Sequence, residues 1–331
     1  MAKQVTIVMY HFVRDLQHSR YPEIKGLTVD QFKEQIEYIR KYYNVIKMED
    51  LISAVSGNDS LPPNPLLLTF DDGYFDHFVN VFPILDEKKI QGSFFPPAKA
   101  IKENQVLDVN KIHFVLASVP DKSKTMESIF SMLDELRGEY QLQPNEYYQK
   151  NVPTESRFDT REVTFIKAML QRELPEEVRK IIVDRLFKKY VTSDEGAFSR
   201  ELYMGFDQIK CMRQRGMFFG SHGYDHYWLG TLDGRSQERE VDLSLAFLDE
   251  IESDSGNWVM CYPYGSYNET LLTILRKRGC KLGFTVIVDI VDLRKANPLL
   301  LPRLDTNDLP KNRNAGASEW TLKVFKGEGL S

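Results

Sequence analysis

The chain has 331 residues, of which 42% are hydrophobic, and a formal net charge of −5 at pH 7. This length and apolar content accommodate one α/β barrel of about 250 residues with an added segment. The acidic balance argues against a general nucleic-acid binder, because such proteins carry a basic face.

The N-terminal residues predict a strand followed by a capped helix. The apolar stretch over residues 5–10 is far shorter than the apolar core of a signal peptide or a membrane span. We therefore expect a cytoplasmic protein with no signal peptide and no transmembrane segment. Thr28, with Gln31 three positions later, predicts a helix cap. The apolar face of that helix carries Phe32, Ile36, Ile39 and Tyr43.

An apolar run that ends in two carboxylates organises the next part of the chain. The run from Leu66 to Phe70 predicts a buried strand, and Asp71 and Asp72 follow it directly. Neighbouring residues of a strand point to opposite sides, so the two carboxylates act as a pair only if the chain turns there. Gly73 permits that turn. Two short elements precede the run, a strand over 44–47 and a helix over 49–55.

After the turn the sequence predicts a helix over 76–89, with Pro83 as a local irregularity, and a strand over 92–95. From about residue 104 to 200 the pattern changes to charged amphipathic helices, over 125–137, 161–173 and 175–190. We interpret this block as a helical insertion, or cap, within a single barrel spanning residues 1–331. Inserted helices lie near the mouth of a barrel, so we hypothesise that the block helps to select the substrate. A stabilising or dimerising role is the alternative.

Helices and strands alternate again after residue 205. The predicted elements are a helix over 206–215, a strand over 217–219, a helix over 236–251, a strand over 258–262, a helix that Asn268 caps and that ends before Gly279, and a strand over 282–288. This alternation implies a mainly parallel sheet of the α/β class.

Two histidines follow the strand at 217–219. His222 and His226 are four residues apart, and on a helical turn that spacing places both imidazoles on one face. Together with Asp72 they make a two-histidine, one-carboxylate set that leaves positions for water and substrate. Such a set is typical of catalytic metal sites rather than structural ones.

Three strand-end motifs occur in a recognisable order: Thr69-Phe70-Asp71-Asp72-Gly73, His222-Gly223-Tyr224-Asp225-His226 and Tyr262-Pro263-Tyr264-Gly265. In this order they resemble the polysaccharide deacetylase family, also called the NodB-homology domain. The likeness extends to Val8-Met9-Tyr10-His11, to residues 204–220 and to Leu301-Pro302-Arg303, and it leaves out about residues 104–200. It implies that the α/β fold is a distorted (β/α) barrel of about seven strands.

The resemblance also implies roles for the matching residues. Asp71 would be the catalytic general base, and Asp72, His222 and His226 would hold a divalent metal, zinc first, with cobalt, manganese or nickel as alternatives. The backbone around Tyr264 would stabilise the oxyanion. The residues predicted to bind substrate are Tyr74, Tyr262, Pro263, Tyr264 and His11. Aromatic side chains that could stack on a sugar ring are Tyr74, Tyr224, Tyr227 and Trp228.

The chain departs from the family pattern at two points. Cys261 stands where family members carry an arginine that orients the base, and no histidine follows His226 to serve as the general acid. We predict that Arg303 supplies the missing positive charge beside Asp71, as part of the catalytic set. Water, Asp71 itself or His11 would then protonate the leaving group.

These observations predict a metal-dependent hydrolase that removes an N-acetyl group, or an O-acetyl group, from an amino sugar or a glycan precursor. Deformylation and hydrolysis of another non-peptide amide use the same chemistry and remain open. A catalytically impaired carbohydrate-binding or regulatory protein on the same fold is the alternative from another class. We expect no nucleic-acid partner, and the oligomeric state stays open.

Overall fold

The computed structural model of the chain describes residues 4–157 and 159–327. The chain divides into two compact units. The barrel unit comprises the residues up to Asp15, Gly26–Glu103 and the chain from Arg200 onward, and the helical unit comprises Leu16–Lys25 and Asn104–Ser199. The single barrel domain with an insertion over about 104–200 stays a prediction, as does the role of that block in selecting a substrate.

The described strands are β1 (Gln4–Tyr10), β2 (Asn44–Val45), β3 (Pro65–Asp71), β4 (Ser93–Phe95), β5 (Phe218–Phe219), β6 (Val259–Cys261), β7 (Leu282–Phe284), β8 (Val291–Asp292) and β9 (Leu304–Asp305). β1 and β3 lie side by side and parallel, with Tyr10 opposite Phe70. β3 pairs with β4 and β4 with β5, also in parallel. β2 pairs with β3, β9 with β1, and β8 runs antiparallel to the start of β1. Because β1 and β3 are parallel, the residues that follow these two strands lie at the same edge of the sheet.

A smaller parallel sheet, β6 with β7, continues this order. Isolated parallel bridges join Ser221 to Met260 and Phe284 to Leu301, so pairing leads from β5 to β6 and from β7 towards β9. Within the described residues no continuous ladder closes the ring, and the strands form an open, distorted (β/α) barrel. The predicted α/β class is confirmed.

The core lies on both faces of the strands. Every residue of β3 is buried, as expected for a parallel strand that is covered on both sides. One cluster of apolar side chains is contributed by several strands and includes Val5, Ile7, Leu67, Phe95, Cys261 and Phe284.

The helices are α1 (Val29–Tyr42), α2 (Met48–Val55), α3 (Phe82–Glu87), α4 (Ala98–Lys102), α5 (Asp108–Ser118), α6 (Lys122–Tyr140), α7 (Asn145–Asn151), α8 (Arg161–Ala168), α9 (Glu176–Tyr190), α10 (Glu195–Leu202), α11 (Phe206–Gln214), α12 (Gly234–Glu250), α13 (Glu269–Lys277) and α14 (Glu319–Gly327). α5 to α9 belong to the helical unit, and α10 begins in it. Among the described residues, none of these helices is both long and apolar enough to cross a membrane.

Local signals located several elements correctly. The predicted capping box of α1 is confirmed, since Thr28 Oγ1 accepts from the Gln31 N–H at 3.1 Å and the Gln31 side chain accepts from the Thr28 N–H at 3.0 Å. The helix predicted over 76–89 is divided: a wide π-type turn covers His77–Val81, and α3 begins at Phe82. Pro83 has no N–H to continue a regular helical ladder, which explains the change of pitch.

One prediction of extent is wrong, and one helix was not predicted individually. The strand predicted over 282–288 ends at Phe284, and Val286, Ile287 and Val288 beyond it are 39–55% exposed. A run of β-branched residues has the composition of a strand, but among the described residues only two backbone hydrogen bonds, from Thr285 N–H to the Leu301 carbonyl and from Arg303 N–H to the Ile287 carbonyl, continue beyond Phe284, and the three side chains are exposed. In the helical unit, α5 lies within the block predicted to be helical but is not one of the three helices predicted there.

Candidate active site

The acidic pair lies on a tight turn at the end of β3. Asp71 is the last residue of the strand, and Asp72 and Gly73 both adopt left-handed backbone angles, with φ of 71° and 66°. A Cβ on Gly73 would lie 2.6 Å from the Pro96 Cβ, so the turn requires glycine for space as well as for conformation. The turn predicted from Gly73 is present, and it sends the two carboxylates in different directions.

Asp71 forms a buried, two-point ion pair with Arg303. The guanidinium donates to Asp71 Oδ1 at 2.9 Å and to Oδ2 at 2.8 Å, and both side chains are at most 2% exposed. Arg303 also donates to Thr69 Oγ1 and to the Thr285 carbonyl. Burial opposes ionisation, but the charge and hydrogen bonds of Arg303, together with His222 and His11, outweigh it and lower the pKa of Asp71 to about 2. Asp71 is therefore ionised at neutral pH.

Asp72 faces the two histidines instead. Its Oδ1 lies 3.5 Å from His222 Nε2 and 3.4 Å from His226 Nε2. This oxygen is buried and has no hydrogen-bond partner among the described residues, whereas Oδ2 accepts from the Tyr74 hydroxyl at 2.5 Å. Burial would raise the pKa of Asp72, but the two imidazoles hold it well below its usual range.

The tautomer of His222 is set by a backbone acceptor. His222 Nδ1 lies 2.8 Å from the Cys261 carbonyl oxygen and donates to it, so Nε2 is the ring nitrogen that faces Asp72. Burial lowers the pKa of His226, so this imidazole is neutral and can act as a ligand. The helical turn expected for the two histidines is wrong: residues 222–226 form a non-helical loop, and His226 has a φ of 56°.

A buried carboxylate braces the loop between the two histidines. Oε2 of Glu240, on α12, accepts from the backbone N–H groups of Tyr224 and Asp225, both at 3.0 Å. On the other side, the Lys99 N–H donates to the Tyr224 carbonyl, and the Lys99 ammonium pairs with Asp225. Contacts across the barrel unit thus bring the two imidazoles together without a helix.

The donor set of Asp72, His222 and His226 fits a small divalent cation. Ligands of a tetrahedral zinc at about 2.0–2.2 Å lie about 3.3–3.6 Å from one another, which matches the separations from Asp72 Oδ1. The unsatisfied buried oxygen is the atom that a cation would satisfy. A second donor group, Asp71, His222 and Cys261, fits less well, because Arg303 occupies both Asp71 oxygens.

Tyr264 lies beside the metal-type donors. Its ring meets the His226 ring edge to face at 4.8 Å and stacks on Trp228 at 4.4 Å, and the side chain is half-buried. Like Asp72 and His226, it is a non-glycine residue with a left-handed backbone, at a φ of 57°. Such conformations cost of order 1–3 kcal/mol each and cluster at functional sites. The roles predicted for Tyr264 in oxyanion stabilisation and substrate binding stay predictions.

Three residues predicted to bind substrate lie in the interior. Tyr74 and Tyr262 are fully buried, and Pro263 is buried as well. The Tyr262 hydroxyl donates to the Leu299 carbonyl at 2.8 Å, and the Tyr74 hydroxyl donates to Asp72. As they are placed here, neither tyrosine ring has surface to offer to a sugar, and substrate binding by these three residues stays a prediction.

His11 follows β1 at the edge of the sheet that carries the aspartates. It is half-buried, and it is one of the weaker electrostatic influences that lower the pKa of Asp71 and Asp72. Its carbonyl oxygen lies 2.9 Å from Nε2 of the fully buried His77 and accepts from it. Substrate binding by the His11 side chain stays a prediction.

Sequence reasoning missed the supporting residues Glu240, His77 and Lys99. They lie on helices or helical turns outside the three motifs, and nothing in their local sequence marks them as partners of the site. The hydrogen-bonding role of Tyr74 was missed for a different reason, since a tyrosine next to a motif is equally consistent with stacking on a sugar.

Comparison with known proteins agrees with this geometry. A family model for polysaccharide deacetylases matches residues 58–129 and 186–283, which together are more than half of the chain. The chain belongs to the polysaccharide deacetylase family. The family match includes Asp71, Asp72, His222, His226 and the Pro263–Gly265 turn, so the resemblance read from the motifs is confirmed. His11 and Arg303 of this polysaccharide deacetylase family member lie outside the matched residues.

Relatives of this polysaccharide deacetylase family member include one curated protein and several solved structures. YxkH of Bacillus subtilis is 33% identical over 79 residues, which are 24% of this chain and 28% of the relative. The match therefore spans little more than a quarter of that protein's length.

The solved structures establish the fold. The Streptococcus pyogenes deacetylase PplD, solved with acetate, has a TM-score of 0.58 at 18% identity and covers 94% of this chain and 97% of its own. IcaB of Ammonifex degensii has a TM-score of 0.55 at 19% identity, covering 92% and 93%. The deacetylase domain of BpsB from Bordetella bronchiseptica has a TM-score of 0.54 at 15% identity, covering 92% and 96%. The distorted barrel predicted for this polysaccharide deacetylase family member is confirmed at the level of the fold.

Proposed function

We propose that the protein is a metal-dependent hydrolase that removes an N-acetyl group from an amino sugar within a glycan or a glycan precursor. One observation carries this proposal. An ionised carboxylate held by an arginine adjoins, within one turn of chain, a second carboxylate whose free oxygen faces two imidazole nitrogens. The names of the family and of the solved relatives PplD and BpsB support deacetylation as the reaction.

Asp72, His222 and His226 would hold the cation. When bound, a divalent ion polarises the acyl oxygen and lowers the pKa of water. The chain supplies the remaining groups. Arg303 orients the carboxylate of Asp71, which accepts a proton from the attacking water through a lone pair that the guanidinium does not use.

The reaction ends with cleavage of the carbon–nitrogen bond. The acyl carbon gains the water oxygen, acetate leaves, and the amine nitrogen takes up a proton. We assign that proton to His11, since it lies at the same sheet edge as the aspartates and near enough to affect both. The N–H from His77 to the His11 carbonyl fixes the backbone at this position. Tyr264 would form the wall beside the acyl group, with Trp228 behind it.

The direct test is release of acetate from a panel of N-acetylated, O-acetylated and N-formylated sugars, nucleotide sugars and short oligosaccharides. Zinc, cobalt, manganese and nickel are each supplied to metal-free protein, and Asp71→Asn serves as the isosteric control. We expect metal-dependent release that falls by about 10²–10⁴-fold in the control, the usual contribution of a general base. Formate release from the N-formyl sugars alone would identify a deformylase.

The carbohydrate-binding alternative makes a different prediction for the same panel. A binding protein needs the metal donors but not a base, so it would bind glycans and release no acyl group even when fully loaded with metal. That result would refute the hydrolase proposal. The buried Asp71–Arg303 pair favours the enzyme, because burying two charges is costly and a lectin gains nothing from it.

A further inference from the structure

Tyr74 contacts the one carboxylate of the donor set. It directly follows Asp71-Asp72-Gly73, is fully buried, and donates its hydroxyl hydrogen to Asp72 Oδ2 at 2.5 Å. The other oxygen, Oδ1, has no hydrogen-bond partner and faces the two imidazoles. The two oxygens of Asp72 are therefore not equivalent, and the tyrosine makes the difference.

The Tyr74 ring is held in place on several sides. It stacks on Phe12 with 3.8 Å between centroids and on Tyr203 at 6.2 Å, and His77 meets it edge to face at 5.5 Å. The backbone is also tied, by a bridge between Tyr74 and Tyr203 and by the Met204 N–H donating to the Gly73 carbonyl at 3.0 Å. A hydroxyl on such a rigid ring fixes the group that it binds.

We propose that Tyr74 is a positioning residue for the metal site: its hydroxyl ties down Oδ2 so that Asp72 presents a single oxygen, Oδ1, to the cation. This inference rests on the metal site of the proposed function. Asp72 needs such an anchor because its carboxylate sits on a left-handed turn, and a carboxylate bound only by a metal can rotate or chelate with both oxygens. Binding through one oxygen makes Asp72 a single third ligand, which together with the two imidazoles fits a tetrahedral site.

The test compares zinc affinity in the full-length protein, wild type against Tyr74→Phe, by competition of the metal-free protein with a chromophoric chelator. Loss of an outer partner of a metal ligand typically weakens metal binding by about 10–100-fold, and we expect a loss of that size. The cobalt-loaded proteins give a second readout, since their visible absorption bands report the coordination geometry. We expect the bands of Tyr74→Phe to shift as Asp72 adopts a new binding mode.

Tyr43→Phe is the matched control. Tyr43 is also buried, and its hydroxyl donates to Thr321 Oγ1 at 2.9 Å, so the control removes an equivalent hydrogen bond that involves none of the metal donors. We expect it to bind zinc as the wild type does. A second variant, Phe12→Leu, keeps the hydroxyl but removes the ring on which Tyr74 stacks, and it should weaken zinc binding by a smaller factor.

The outcomes are distinct. Zinc affinity and cobalt spectra unchanged in both Tyr74→Phe and Phe12→Leu would overturn the role of Tyr74 and leave the metal site standing. An equal loss of zinc affinity in Tyr43→Phe would also overturn it, because the effect would then be general. A wild-type protein that binds neither zinc nor cobalt would refute the metal site itself, and the inference with it.

Discussion

Two adjacent carboxylates on one turn have opposite surroundings in this protein. On the base side, Arg303 occupies both oxygens of Asp71. On the metal side, Tyr74 occupies one oxygen of Asp72 and the other has no hydrogen-bond partner. Both side chains are buried to the same degree, 2% and 3% exposed, so burial does not distinguish them. What distinguishes them is the set of partners that distant parts of the chain bring to each oxygen.

The difference in hydrogen bonding is the basis on which we propose an acid–base role for Asp71 and a metal-ligand role for Asp72. A carboxylate that is fully satisfied by a cation of the chain stays ionised without an added ion, and it retains lone pairs for a proton. A buried carboxylate oxygen with no partner is costly unless something else binds it. The same residue type thus has two different environments on one turn, which is why we propose two different roles.

The largest expected effect comes from replacing each aspartate by its isostere. Asp72→Asn should lose stoichiometric zinc and, with it, turnover, by at least about 10³-fold, because metal catalysis contributes several kcal/mol. Asp71→Asn should lose turnover by a similar factor and keep its zinc, since it contributes none of the three donors. Elemental analysis and acetate release, measured on the two variants, distinguish loss of the metal from loss of the base. Equal zinc contents in both variants would contradict the proposal that Asp72, and not Asp71, binds the metal.

The same measurement of zinc content tests whether the two histidines belong to the proposed metal site. His222→Ala and His226→Ala should each lose stoichiometric metal, because each removes a nitrogen that faces Asp72 Oδ1. Elemental analysis of the purified variants is sufficient. Full occupancy in either one would remove that residue from the ligand set.

Arg303→Gln tests the base side through stability. Removing one partner of a buried ion pair leaves an uncompensated charge and typically costs about 3–5 kcal/mol of unfolding free energy. We expect that loss in urea unfolding, and a smaller loss in the double variant with Asp71→Asn. Arg278→Gln is the control, because Arg278 makes the same two-point contact with Asp242 at a site where both side chains are 36–50% exposed. Exposed pairs contribute about 0–1 kcal/mol, so a similar cost for both variants would contradict the burial argument.

The next largest effect is expected from His77, as a dependence of the unfolding free energy on pH. Burial lowers the pKa of His77 to about 4, so the folded protein keeps this imidazole neutral where the unfolded chain, with an ordinary pKa near 6.5, binds a proton. Its contribution to stability is thus present above pH 6.5 and is lost as the pH falls towards 4, by roughly 3 kcal/mol in all. Unfolding of the wild type and of His77→Gln from pH 7 to 4 should show this difference. His18→Gln, at an exposed position, should follow the wild type.

Glu240→Gln should have the smallest effect and belongs to the metal side. The carboxylate holds two N–H groups of the loop between His222 and His226, and losing its charge should cost about 1 kcal/mol, a few-fold in zinc affinity. Amide hydrogen exchange at Tyr224 and Asp225 should speed up in parallel. Glu238→Gln, an exposed glutamate on the same helix, is the control. Unchanged exchange in Glu240→Gln would mean that Glu240 does not hold the loop.

The sequence by itself determined the features that depend on neighbours along the chain. The capping box at Thr28, the strand ending at Asp71, the turn at Gly73 and the alternation of helices and strands all follow from local periodicity and backbone preference. These signals, with the order of the three motifs, were sufficient for the fold class and the family. The same signals misjudged the stretch 286–288, because composition alone does not reveal how far a strand continues or that these apolar side chains are exposed.

The tertiary structure decided which atoms face one another. Arg303 pairs with Asp71 across 232 positions of sequence, and Glu240 braces a loop from a helix outside every motif. Tyr74 and Tyr262 turn inward as hydrogen-bond donors, although their positions in the motifs are equally consistent with contact to a sugar. The direction and burial of a side chain depend on packing between distant elements, and a pattern of nearby residues does not contain that information.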